Sequence, residues 1–265
     1  VRGTGALRVR GQRIMTAEIP EALAAILERI APLGDSPGDV SDPSRNEALT
    51  GELADLDLWW RRINTSAQVQ EVVLRPSGAD PMDCLMTGIE QAERAVDSGA
   101  NLLIPAVAAS QQVSARTIIA LLTKSDASSV LGQPAGMTDQ SWMDRCAQIR
   151  DEAAGLRESI GEPLQLLVRL GAEGIAGAVG VLLAGAARAT PCLIDGTDTW
   201  AAALIADRLN HRARQWWRSS TSSLDPAWTA ARERIDLAPG LPLDLTDDAG
   251  WGAQANVALL QLLTR

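Results

Sequence analysis

The sequence has no Phe and no Tyr, a single Lys (Lys124) and a single His (His211). One His without any C-x-x-C pair lacks the ligand set of a structural zinc site, so no metal is expected. The three cysteines, Cys84, Cys146 and Cys192, are far apart and odd in number. They imply no disulfide framework, and a reducing cytoplasm is the expected compartment. No apolar run approaches the ~20 residues that cross a bilayer, so no membrane partner is expected. Positive charge is also in deficit: 24 Lys and Arg face 33 Asp and Glu, a net charge of −9. That balance argues against a sequence-independent hold on nucleic acid or anionic lipid, which needs excess cations.

What is present is an ordinary globular composition, 46% hydrophobic and 22% charged over 265 residues. Such a length holds one large α/β domain, with or without a small helical annex. Core bulk must come from Leu, Ile, Val and Ala, with eight Trp supplying the large rings. The basic opening VRGTGALRVRGQRIM lacks an apolar h-region and is expected to be a disordered leader, with Met15 opening the structured part. Residues 1–44 are read as leader, first helix and linker, and residues 45–265 as a single α/β domain with a small helical subdomain.

Helical spacing predicts helices over Ile19–Ile30, Glu47–Ile63 and Met82–Ser98, the last closed by Gly99. VVLRPSGADP is a short extended piece. ANLLIPAV is a buried strand, VSARTIIALLT a helix, and SSVLG a second short strand. Thr138 is a candidate N-cap for TDQSWMDRCAQIRDEAAGL. EPLQLLVRLG and AEGIAGAVGVLLAGAARA form a helical pair whose small residues allow close packing. TPCLIDG is a buried strand and TWAAALIADRLN the helix after it. Trp59–Trp60 and Trp216–Trp217 are expected on helices, with one ring of each pair outward at a subunit interface. The alternation predicts an α/β fold: a mostly parallel sheet covered by helices, with a small helical subdomain built from the N- and C-terminal segments.

Three stretches in order carry a resemblance: Gly99–Asp139, Glu162–Ala206, and LDLTDDAGWGAQANVALLQLL near the C-terminus. Together they resemble the nicotinate-nucleotide:dimethylbenzimidazole phosphoribosyltransferase family. Gly51, Leu53 and Leu56 are similar to its N-terminal G-R-L-E-E-L helix. The resemblance implies transfer of phosphoribose from nicotinate mononucleotide to a benzimidazole in cobalamin assembly, with no cofactor. In the family a glutamate in G-E-G-T-G is the general base, and a G-E-M-G-I-G-N-T-T loop cradles phosphate with backbone N–H groups.

Laid over this chain, the base falls on Ala249, flanked by Gly250, Trp251 and Gly252. The phosphate loop falls on residues 105–113: its glutamate becomes Ala106, its glycines Ala108 and Ser110, and its Asn-Thr-Thr Gln111, Gln112 and Val113. The two histidines of H-x-S-A-E-P-G-H become Thr221 and Trp228, while Asp225 and Pro226 keep the pattern. The family's A-G-D-H-G-V segment has no counterpart between Thr65 and Met82, so at least one strand and its loops should be missing.

Candidate ligand-binding residues are therefore Ser110, Gln111, Gln112, Arg145, Asp195, Gly196, Asp225, Gly250 and Gly252. Arg145 falls near a family Lys close to the phosphate, or is a surface ion pair. Asp195 either faces the cleft at a strand end or caps the following helix. Asp247 or Asp248 is a substitute base, or both are solvated acids before a turn. Glu173 complements a helix dipole, and His211 is a surface residue. The implied partners are a mononucleotide or benzimidazole-type ligand and a second subunit, as homodimer or as heterodimer with an intact homologue. Three functions remain open: an impaired homologue serving as a ligand-binding or partner subunit, an active enzyme with Asp247 or Asp248 as base, and a purely structural partner.

Overall fold

The computed structural model describes residues 7–9, 12–14, 19–33, 52–61, 68–132, 136–243 and 250–263. Two short strands, β1 (Leu7–Val9) and β2 (Gln12–Ile14), pair antiparallel. That differs from a disordered leader ending at Met15. Helix α1 (Glu21–Arg29) follows, with Leu23 and Ile26 buried. Helix α2 (Glu52–Arg61) carries the Trp59–Trp60 pair.

The centre is a four-stranded sheet with every pairing parallel, in the order β3 (Val69–Leu74), β4 (Leu102–Val107), β5 (Cys192–Ile194) and β6 (Trp217–Ser219). Between the strands run α3 (Pro81–Asp97), α4 (Gln112–Thr123), α5 (Ala127–Leu131), α6 (Asp139–Leu156), α7 (Pro163–Leu170), α8 (Glu173–Ala187) and α9 (Thr197–Leu209). Helices α10 (Pro226–Arg234) and α11 (Trp251–Leu263) complete the chain order.

Alternation along the strands sends side chains to two cores. Val72, Leu74, Leu103, Cys192 and Ile194 join the larger, which α3, α4, α8, α9 and α10 cover. Leu102, Ile104 and Leu193 join the smaller, closed by Leu56 and Trp60 of α2 and by Ala253 and Leu260 of α11. The expected helical subdomain from the two ends of the chain is this second layer. Between α3 and α8 the backbones almost touch: a Cβ on Gly88 would lie 2.1 Å from the Gly177 carbonyl oxygen, and one on Gly180 would lie 2.1 Å from that of Leu85.

Local chemistry sets the helix ends. Asp80 accepts from the Met82 N–H with Pro81 at the first position of α3, and Thr138 caps α6 through the Ser141 N–H. Gly99, past the end of α3, sits at φ +99°, as a glycine closing a helix does. Two expectations fail here. SSVLG is part of α5, not a strand. Trp216 ends a 3₁₀ turn and Trp217 opens β6, and both rings are buried, so this pair is core and not interface.

Candidate functional site

Ligands of open α/β sheets sit beyond the carboxyl ends of the strands. Here that place is a cleft of about 200 Å³ bounded by Glu71 and Val73 of β3 and by Ile104–Ala108 of β4. Its other walls are Asp195, Gly196, Asp198 and Thr199 beyond β5, with Gly250, Ala253 and Gln254 at the start of α11. Among the described residues, three carboxylates line it, and no Lys, Arg or His does.

The loop between β4 and α4 has the strand–loop–helix geometry that cradles phosphate elsewhere. Here an internal carboxylate holds it. Asp198 accepts the Ser110 hydroxyl at 2.5 Å and the Gln111 backbone N–H at 2.9 Å. The Gln111 side chain is also occupied, its Nε2 donating to Gly171 O at 3.2 Å and its Oε1 accepting from Gly174 N at 3.1 Å. Gln112 Nε2 donates to the Ser110 hydroxyl at 3.1 Å. Asp198 is 4% exposed, so its charge faces the donors with little water between.

Asp195 does the same for α11. It accepts the Ser220 hydroxyl at 2.7 Å and the Ala253 N–H at 2.9 Å, joining β5, the exit of β6 and the first turn of that helix. It therefore lies in the cleft wall and satisfies the start of α11. Gly196, at φ +91°, precedes α9. Gly250, at φ +76°, lines the cleft. A Cβ on Gly252 would come within 2.8 Å of Asp195 Oδ1, so only glycine admits this approach. Asn256 anchors the next turn, its Nδ2 donating to Gly252 O at 2.8 Å and to Ser220 O.

The remaining candidates lie elsewhere. Asp225 forms a largely buried bidentate pair with Arg116, at 2.9 and 2.5 Å, and caps α10 by accepting from the Ala227 N–H. Both its oxygens are engaged, and it is not among the residues lining the cleft. Arg145 is exposed on α6 and is not among the residues lining the cleft. Asp247, Asp248 and Ala249 lie outside the described residues. Thr221 and Trp228, at the two histidine positions, are buried: Thr221 donates to Leu241 O at 2.8 Å, and Trp228 Nε1 donates to Thr197 Oγ1 at 3.0 Å. Glu173 stands in the first turn of α8 and accepts from the Ser77 and Gly78 N–H groups, a loop contact beyond its expected dipole role. His211 is exposed beside Asp207. Sequence reasoning missed Glu71 and Asp198. Glu71 had one signal, an acid breaking a Val-rich strand; Asp198 had none, since its partners are about ninety residues away in sequence.

The sequence profile of a phosphoribosyltransferase family matches residues 65–264. The chain belongs to this phosphoribosyltransferase family. Among curated relatives, the nicotinate-nucleotide–dimethylbenzimidazole phosphoribosyltransferase of Streptomyces avermitilis is 35% identical over 176 residues, 66% of this chain and 47% of the relative. That of Streptomyces coelicolor is 32% identical over 193 residues, 72% of this chain and 54% of the relative. The chain thus spans about half the length of the curated relatives that it matches. The crystal structure of CobT from Thermus thermophilus superposes with a TM-score of 0.64 at 26% identity, over 70% of this chain and 56% of that one. A second Thermus thermophilus phosphoribosyltransferase structure gives 0.67 at 19% identity over 94% and 96%, which shows the fold. The phosphoribosyltransferase architecture is therefore present, with a parallel sheet and a cleft at its carboxyl edge.

Proposed function

We propose that this phosphoribosyltransferase homologue does not carry out phosphoribosyl transfer and serves cobamide lower-ligand assembly as a small-ligand-binding or partner subunit. The observation that carries this is Asp198. Its carboxylate takes the Ser110 hydroxyl and the Gln111 N–H, the donors that a substrate phosphate would need, and fixes a negative charge at the loop. An arriving phosphate would have to displace it and then sit among Glu71, Asp195 and Asp198, with no cation among the described lining residues. The family's loop glutamate is Ala106 in the cleft wall, and its base position is Ala249. Losing a general base alone costs about 10²–10⁴ in rate. Three free cysteines and no helix long and apolar enough to cross a membrane, among the described residues, are compatible with a cytoplasmic setting.

A second reading keeps the enzyme active with Asp247 or Asp248 as base, and the position of Gly250 in the cleft wall favours it. Incubation with nicotinate mononucleotide and dimethylbenzimidazole, followed by chromatography for the riboside phosphate, separates the two. The proposal expects no product above the protein-free control. Turnover abolished by Asp248→Ala would replace it with the second reading. Calorimetry with dimethylbenzimidazole then tests ligand binding, and absence of heat leaves a purely structural partner.

A further inference from the structure

Helix α4 starts at the cleft loop and, at 1.5 Å per residue, ends about 17 Å away. Its far end borders a second groove, of about 340 Å³, which shares no lining residue with the cleft. Lys124 closes the helix, the chain turns into α5, and the last turns of α6 with the 3₁₀ turn after it form the opposite wall. Three alanines meet here, Ala120 of α4, Ala127 of α5 and Ala153 of α6, and their short side chains leave the gap. Buried Leu121 and Ile149 and half-buried Ile160 make an apolar floor, while Lys124, Arg150 and Arg157 are exposed at the rim. Lys124 is the only lysine of the chain, and it stands at φ +60°, where a glycine or asparagine usually closes a helix. Among the described residues, neither Lys124 nor Arg157 forms an ion pair.

Cations over hydrocarbon, in a chain of net charge −9, suit a ligand with an anionic head and an apolar body. Charge selects the head. Arg150 is held by Asp151 at 2.8 Å, and Asp126 stands on the same rim. Two of the three cations are thereby offset, so the groove offers roughly a single positive charge. That matches a monoanion, whereas a phosphate dianion would be left partly uncompensated beside Asp126. Ser125 agrees. Thr123 gives its hydroxyl proton to Ile119 O at 2.7 Å, so Ser125 must be the donor in the 2.8 Å contact between the Thr123 and Ser125 hydroxyls. It then has no proton left for a third oxygen of an anion. A carboxylate needs none, because its two oxygens fit the planar fork of an arginine and the point charge of a lysine. The geometry points to a binding site for a small monocarboxylate with an apolar body, its head between Lys124 and Arg157 and its hydrocarbon on the Leu121–Ile149–Ile160 floor. This site is separate from the phosphoribosyltransferase cleft, and its test makes no use of catalysis.

Octanoate is the probe, titrated calorimetrically into the full chain up to about 5 mM. One saturable site is expected. Octanol, which lacks the charge, and butanoate, which covers less of the floor, should each bind roughly tenfold more weakly or worse. Lys124→Gly removes a cation while relieving the left-handed backbone, so it should melt no lower than the wild type and yet lose about tenfold in octanoate affinity. Arg157→Gln should lose a similar factor, and Ala153→Leu, which fills the floor and leaves every charge in place, should abolish binding. If Ala153→Leu does not fold, the two charge variants decide. Absence of saturable heat with the wild type, or an affinity unchanged in both Lys124→Gly and Arg157→Gln, overturns the site. Octanol binding as tightly as octanoate, or displacement of octanoate by inorganic phosphate, overturns the monocarboxylate assignment and the proposal with it.

Discussion

Asp198 occupies the start of α4 as a tethered anion, and removing it should have two consequences. In Asp198→Ala the Gln111 N–H and the Ser110 hydroxyl lose a charged acceptor in a mostly enclosed place, which costs roughly 1–3 kcal/mol of stability. The same donors become available to an external anion, so inorganic phosphate should raise the melting temperature of the variant and leave the wild type unmoved. Equal melting curves with no phosphate response would show that Asp198 does not hold the loop. Asp225 makes a contrasting case, because its partner is a buried cation. Asp225→Ala strands Arg116 and also removes the α10 cap, so urea denaturation should show a loss of about 3–5 kcal/mol. The thiols add a pH-dependent expectation. Complete burial pushes the Cys192 thiol far above its ordinary value; desolvation also raises Cys84, with the Ser77 hydrogen bond opposing and the Glu173 charge adding. A raised thiol pKa means less thiolate at neutral pH. Cys84 and Cys146, which burial also raises, should therefore alkylate slowly at pH 7, and Cys192 only after unfolding. The stability tied to the neutral Cys192 thiol is fully present below the ordinary thiol pKa of about 8.5 and declines as pH rises above it.

Among the elements, the α3–α8 crossing depends most sharply on residue size. Gly88→Ala or Gly180→Ala would press a methyl group into a backbone carbonyl, an overpacking cost of about 1–3 kcal/mol that outweighs the helix propensity gained. A Cβ on Gly155 of α6, by contrast, would meet nothing within 4 Å. Gly155→Ala should therefore stabilise by about 0.5–1 kcal/mol, and thermal melts of the three variants check the contrast. These elements also show what could be read in advance. Helix α3 announces itself through Pro81 at its start and Gly99 past its end, and α6 through Thr138, because caps are local chemistry. SSVLG misled because five apolar-to-polar residues fit a strand or a helical turn equally; its packing beside α4, α6 and α10 made it a helix. Trp217–Ser219 was hidden for a related reason. A three-residue strand buried throughout shows no alternation, and its partner Cys192–Ile194 lies some twenty-five positions earlier. The same distance problem concealed the site: Asp195 was legible as a strand-end acid, while the Asp198 clamp, the Arg116–Asp225 pair and the Asp195–Ala253 bond join segments that share no sequence pattern.

At the scale of the whole molecule, charge decides which ligands the cleft tolerates. The chain carries −9 overall, and Glu71, Asp195 and Asp198 bring that sign to the cleft wall. An anionic mononucleotide approaching it meets repulsion both at long range and on contact, whereas neutral dimethylbenzimidazole meets neither. Ionic strength separates these cases. Raising salt shortens the screening length from about 30 Å at 0.01 M to about 3 Å at 1 M, which weakens repulsion and attraction alike between exposed charges. In a phosphate cradle lined by cations, mononucleotide affinity falls as salt rises. In this cleft the sign reverses: any residual affinity for nicotinate mononucleotide should rise, by roughly threefold across that range, while affinity for dimethylbenzimidazole stays flat. Calorimetric titrations of both ligands at several salt concentrations measure the two slopes directly. A mononucleotide affinity that falls with salt would mean that cations govern the cleft after all, and that Asp198 yields its donors to phosphate.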